Sequence, residues 1–295
     1  MKKNYLQLIF ISGLISIFIS ACINRANSLE HSPTDYLNVD EKPDSTAPSG
    51  IEELQINSSG STIFGFEYIA NGPGPHPTVL MLHGLPGNER NLDLAQNLRR
   101  AGYNVIYFNY RGSWGSKGTF SFSNSLKDVD AVLDYITDGS NIGRMRIDTN
   151  QIALFGHSMG AGLAVIAGIN DPRVKAIAGI SVFNPYTILK GNGSKGNIRS
   201  LKEYISTLGM LNCEPNTYLK ELISGLNSYD IETMIINSKK PLLVIDEHKN
   251  NNYLANHIDR IHFTYKMWNT DHAFTNKRIA LSVELNTWLR ENLSR

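Results

Sequence analysis

The clearest pattern along the chain is a series of short apolar runs separated by stretches of mixed polarity. Residues 78–83 (TVLMLH), 104–110 (NVIYFNY), 151–156 (QIALFG), 174–182 (VKAIAGISV), 241–246 (PLLVID) and 261–268 (IHFTYKMW) are nearly continuous in apolar character. Runs of this length without alternation predict strands buried on both faces, as in a parallel sheet. Two earlier runs, 53–57 and 62–70, alternate instead and predict an antiparallel pair turning at Ser59-Gly60. Between the later runs, Leu126, Val129, Val132, Leu133 and Ile136 fall on one face of a helix over 123–138. Leu281, Leu285, Trp288 and Leu289 do the same near the end of the chain. Strands alternating with helices predict an α/β fold: a mostly parallel, doubly wound sheet with right-handed crossovers and helices on both faces. Ligands in such sheets bind beyond the carboxyl ends of the strands, so chemistry is expected in the loops that follow the runs.

One stretch between core runs is too long for a simple crossover. Residues 186–240 carry helical apolar spacing at Tyr204, Ile205 and Leu208 and again at Leu219, Leu222, Ile223 and Leu226, and read as a cap insertion over the cleft. Ahead of the body, Met1-Lys2-Lys3 is basic and Leu6 to Ala21 is apolar, the layout of a secretory signal over residues 1–21. Its sixteen apolar-segment residues fall short of the roughly 20 that a membrane span needs. The segment closes on Ile19-Ser20-Ala21-Cys22, which resembles the bacterial lipobox. That resemblance implies acyl chains such as palmitate on Cys22, and a lipid-anchored domain on the exported side of a membrane in a bacterial cell envelope. Residues 22–50, with Lys42-Pro43-Asp44-Ser45 and Ala47-Pro48-Ser49-Gly50, hold few large apolar side chains. They cannot offset their own ordering entropy and read as a flexible tether, leaving 51–295 as the folded domain.

Composition narrows the classes. Apolar residues at 41% and charged residues at 19% are ordinary for a globular chain. With 28 Lys+Arg against 27 Asp+Glu there is no basic excess for nucleic acid. Cys22 and Cys213 are the two cysteines, too few for a disulfide scaffold or a Cys-rich zinc module, and no metal site is expected. A lipid on Cys22 leaves Cys213 unpaired, and burial is expected for it.

The loops after the runs carry the chemistry. Gly156-His157-Ser158-Met159-Gly160 is a G-x-S-x-G between an apolar run and the small-residue stretch Ala161-Gly162-Leu163-Ala164-Val165. In that strand–turn–helix context the glycines permit a strained turn that pushes Ser158 Oγ outward as a nucleophile. After 78–82 comes His83-Gly84-Leu85-Pro86-Gly87, which can aim the Leu85 N–H at the same space as the Met159 N–H. Two converging donors would form an oxyanion hole. The glycine-rich Arg111-Gly112-Ser113-Trp114-Gly115-Ser116-Lys117-Gly118 lacks the order of a phosphate-binding P-loop and is expected to line the cleft. His272 follows the run 261–268 and precedes the last helix, where a general base can reach over the sheet.

Four segments together, 82–89, 109–116, 156–160 and 270–274, resemble bacterial α/β-hydrolases of the dienelactone-hydrolase and prolyl-oligopeptidase-like type. The resemblance implies the α/β-hydrolase fold and a Ser-acid-His hydrolase of esters, thioesters or amides, acting without a cofactor on a small-molecule or peptide acyl substrate. It also places the acid a few residues beyond the run 241–245, where spacing arrives at Asn250, an amide. Asp246, which emerges at the carboxyl end of that run, is the expected acid, with Glu247 next in order and Asn250 last. An amide in the acid's place would instead describe a catalytically impaired pseudo-hydrolase serving as a membrane-tethered binding protein.

Overall fold

A computed structural model describes residues 34–191, 193–260 and 262–293. The segment 1–21 read as a signal, and Cys22, lie outside the described residues. The chain divides into a unit Met1–Val39, whose described part is a helical turn at Asp35–Asn38, and a body Asp40–Arg295. Within the body, part of the expected tether is held down: the Asp44 N–H donates to Asn71 Oδ1 at 2.8 Å, and Arg146 donates to the Ala47 and Pro48 carbonyls at 2.9 Å each.

The body is built on eight strands: β1 (Gly50–Ser58), β2 (Ser61–Ile69), β3 (His76–Leu82), β4 (Asn104–Phe108), β5 (Ile147–His157), β6 (Val174–Ile180), β7 (Leu242–Asp246) and β8 (Phe263–Met267). They form one sheet in the order β1-β2-β4-β3-β5-β6-β7-β8. Strands β1, β2 and β4 pair antiparallel, and every pair from β4·β3 to β7·β8 is parallel. Helices of seven or more residues are α1 (Leu92–Arg100), α2 (Phe122–Thr137), α3 (Met159–Gly168), α4 (Ser194–Ser206), α5 (Pro215–Ser224), α6 (Ile231–Asn237) and α7 (Arg278–Asn292). Helices α4 to α6 occupy the insertion between β6 and β7. Among the described residues no helix is long and apolar enough to cross a membrane.

Because successive strand side chains point to opposite faces, each continuous apolar run feeds two cores. Leu80, Leu154, Ile177, Leu242 and Val244 pack on one face with α2 (Val129, Val132, Ile136) and α3 (Leu163). Val79, Ala153, Ala178, Leu243 and Ile245 pack on the other with α1 (Leu94, Leu98) and α7 (Leu281, Leu285, Leu289). Each such leucine or isoleucine contributes about 1.5–3 kcal/mol on burial. This parity decides which polar side chain at the end of each strand faces which side of the cleft.

Candidate active site

The turn from β5 into α3 is set by close backbone approach. A Cβ on Gly156 would collide with the Gly160 carbonyl and Ala161, and one on Gly160 with the carbonyls of Leu82 and His83. Between these glycines Ser158 sits at φ 56°, a left-handed conformation that a non-glycine residue adopts only at a cost of about 1–3 kcal/mol. Its backbone is pinned on both sides: the Ser158 N–H donates to the Ile180 carbonyl at 2.9 Å, and the Ser158 carbonyl accepts from Phe183 at 3.1 Å. Met159, the first residue of α3, has an N–H with no intrahelical acceptor available.

The turn after β3 passes directly beside the serine. A Cβ on Gly84 would stand 3.1 Å from Ser158 Cβ and 3.7 Å from its Oγ. The carbonyls on both sides of Leu85 are held. His83 Nδ1 donates to the Gly84 carbonyl at 2.8 Å, and Tyr204 of α4 donates through its hydroxyl to the Leu85 carbonyl at 3.1 Å. The next carbonyl, Pro86, accepts from Trp114 Nε1 at 2.7 Å. Among the described residues the N–H groups of Leu85 and Met159 have no acceptor, which leaves two donors free beside Ser158. His83 is buried, and burial brings its imidazole down to about 4, so the ring is neutral and its single proton is on Nδ1.

His272 lies in the loop between β8 and α7. Its Nδ1 contacts Glu247 Oε1 at 2.8 Å, and Glu247 Oε2 accepts from Ser181 Oγ at 2.6 Å. Burial by itself would raise the Glu247 carboxyl, but the hydrogen bonds from His272 and Ser181 outweigh it and hold the group below its ordinary value. The Glu247 side chain is 7% exposed and that of His272 58%. Behind them, His157 donates from Nε2 to the His272 carbonyl at 2.9 Å, with the two rings 4.9 Å apart. Burial and the neighbouring His272 bring His157 down to about 4, so it stays uncharged next to the base.

The structure does not bring the expected acid, Asp246, to His272; Glu247 is there instead. Asp246 is fully buried on the opposite face of the sheet, accepting from the Val182 N–H at 2.9 Å and from Asn251 Nδ2 at 3.1 Å. Burial raises its carboxyl to about 6. The cause is strand parity. Ile245 faces the side covered by α7, so Asp246 faces the other side and Glu247 returns to the side where His272 lies. Asn250 is exposed on the 3-10 turn Lys249–His257, away from this pairing. Asp246, Glu247 and His248 stand close enough to share an ion, yet both carboxylates are already engaged in the hydrogen bonds above.

Ser158 and His272 open into one cavity of about 310 Å³ that Leu85 and Met159 also line. Phe183 and the cap residues Leu201, Tyr204 and Tyr218 form the rest of its wall. Among the described residues no direct hydrogen bond joins Ser158 Oγ to His272; such contacts are often long until a substrate is bound. The 111–118 loop is tied to the body by the buried Arg111–Asp128 ion pair at 2.6 Å, and through Trp114 it reaches the turn after β3. Cys213 is half-buried with its thiol pushed up to about 11 by burial, which makes it a poor nucleophile.

The sheet, the elbow and the loops at its carboxyl edge define an α/β-hydrolase fold. Residues 77–196 match the family model described as alpha/beta hydrolase fold. The chain is 28% identical over 151 residues to an uncharacterized protein of Mycobacterium tuberculosis, a match covering 51% of this chain and 50% of that protein. It is 35% identical over 92 residues to the lysophosphatidylserine lipase ABHD12 of Bos taurus, covering 30% of this chain and 21% of the lipase. The chain thus spans half or less of the length of these two relatives. Among solved structures, an esterase of Pyrococcus furiosus superposes with a TM-score of 0.62 at 17% identity, covering 90% of this chain and 96% of that one. Est1E from Butyrivibrio proteoclasticus does so with a TM-score of 0.58 at 14% identity, covering 81% and 98%.

Proposed function

We propose that the protein is a serine hydrolase that cleaves an ester, thioester or amide through an acyl-enzyme on Ser158, with His272 as general base and Glu247 as its acid partner. The observation that carries this reading is the 2.8 Å contact from His272 Nδ1 to a buried carboxylate, on a histidine that shares a cavity with Ser158. Donation of Nδ1–H to Glu247 leaves Nε2 as the basic nitrogen. It takes the Ser158 hydroxyl proton as Oγ attacks the acyl carbon, then returns that proton to the leaving group as the bond to it breaks. Water repeats the sequence on the acyl-enzyme and releases the acid. The Leu85 and Met159 N–H groups supply the oxyanion hole, where one donor is typically worth about 10²–10³ in turnover. Likeness in fold to esterases supports an acyl-oxygen substrate, and the four motif segments support kinship with the dienelactone-hydrolase and prolyl-oligopeptidase-like type.

A fluorophosphonate probe should label the native protein and not Ser158→Ala, and Ser158→Ala and His272→Ala should each lower aryl-ester turnover by about 10³ or more. Near-native turnover by either folded variant overturns the assignment. We also propose that Cys22 carries the lipid anchor suggested by Ile19-Ser20-Ala21-Cys22. Stable anchoring needs more than one acyl chain. Retention of labelled palmitate and of membrane association by Cys22→Ser would remove this part of the reading.

A further inference from the structure

Helix α4 contributes little to the core. Of its thirteen residues only Ile205 is fully buried. Ile198 and Leu201 pack against the core only partly buried, and Leu201 and Tyr204, spaced so that both project to one side, line the cavity that holds Ser158. Tyr204 is 44% exposed, so packing does not explain where it points. Its hydroxyl ends 3.1 Å from the Leu85 carbonyl, in the peptide that follows the one carrying the Leu85 N–H. A residue has two soft dihedrals, one against each flanking peptide plane. His83 holds the plane that carries the Leu85 N–H and Tyr204 the plane after it, so Leu85 is anchored on both sides. The other cap tyrosine lining the cavity, Tyr218, is fully buried with its hydroxyl against Met159 Sδ at 3.8 Å, so it presents only a ring.

We propose that Tyr204 is the residue through which the cap acts on the reaction: its hydroxyl positions the oxyanion turn, and its ring ends the acyl pocket and so limits the site to compact, uncharged acyl groups. This rests on the hydrolase reading above. None of the cavity's eight lining residues is Lys, Arg, Asp or Glu, so a carboxylate or ammonium on the acyl group would lose hydration there and gain no such ion pair from the lining. The volume of about 310 Å³ is at the lower end of the roughly 300–1,000 Å³ typical of ligand pockets.

The two parts of the side chain separate by substitution. Tyr204→Phe keeps the ring and removes the donor; Tyr204→Ala removes both. With p-nitrophenyl butyrate, Tyr204→Phe should lower kcat by about fivefold or more while KM stays within about twofold, the mark of an interaction used in the transition state. Its preference for butyrate over decanoate should match that of the native protein. Tyr204→Ala should show the same fall in kcat and also raise the decanoate-to-butyrate ratio of kcat/KM by about tenfold or more. The native protein should also hydrolyse the butyrate ester about a hundredfold faster than the succinate half-ester, which adds a carboxylate to an acyl chain of similar length. Native kcat in Tyr204→Phe, an unchanged length ratio in Tyr204→Ala, or equal turnover of the succinate ester each overturns the proposal. If the native protein hydrolyses no ester and the fluorophosphonate leaves Ser158 unlabelled, the hydrolase reading itself fails, and this proposal with it.

Discussion

Glu247 and Asp246 are neighbours with opposite fates, and the difference is the sharpest test of the site. Glu247 is held ionised by His272 and Ser181, so it can stabilise an imidazolium as it forms. Asp246 serves the backbone at Val182 and the amide of Asn251. Glu247→Gln should lower aryl-ester kcat by at least about a hundredfold, because an amide can orient His272 but not neutralise it. Asp246→Asn keeps an acceptor for the Val182 N–H and should keep kcat within about tenfold. Steady-state kinetics of the two variants decides between them, and the reverse order of effects would restore Asp246 as the acid. Glu247, not Asn250, is the residue that meets His272, so on the hydrolase reading the amide at 250 is no objection. Ser181 holds Glu247, His83 holds the Gly84 carbonyl and His157 holds the His272 carbonyl, each through a single side-chain hydrogen bond. No residue spacing announces such bonds, which is why sequence alone leaves these three side chains without a role.

At the scale of elements, what could be read in advance was whatever burial writes as a pattern. The runs at 78–83 and 174–182 are continuous because both sheet faces are covered, and they became β3 and β6. The glycines of the elbow were legible because close backbone approach tolerates nothing larger at Gly156 and Gly160. Helix α1 was not anticipated: only Leu94, Ala95 and Leu98 are fully buried in its nine residues, too few repeats to establish a helical period. That Glu247 rather than Asp246 meets His272 was hidden for a related reason. Alternation along β7 was clear, but its phase relative to His272 depends on which face α7 covers, and that is a tertiary fact.

For the molecule as a whole, one buried charge sets a pH dependence. Glu67 in β2 is fully buried, and among the described residues neither carboxylate oxygen has a hydrogen-bond partner. Burial raises its carboxyl from 4.5 to about 8, against a smaller opposing pull from Arg146. Between those values the folded chain keeps a proton that the unfolded chain releases, so stability should fall as pH rises from about 4.5 to 8. Glu67→Gln, which mimics the protonated acid, should flatten this slope and raise Tm at pH 9 by at least about 3 °C, read by calorimetry at pH 6 and 9. An unchanged slope would mean that Glu67 finds a partner as the carboxyl ionises.

The single buried side chain of α4 has a consequence for how long the site survives. Segments with few buried contacts open at a small fraction of the global unfolding free energy. The Leu85 turn borrows one of its two constraints from such a segment. The sheet, the elbow and the Glu247–His272 pair can all persist while α4 frays, and in that state the serine and its base are intact but one oxyanion donor is loosely aimed. On the proposed hydrolase reading, functional lifetime should then follow the opening equilibrium of residues 194–206, which amide exchange along that helix measures directly, rather than the melting of the core.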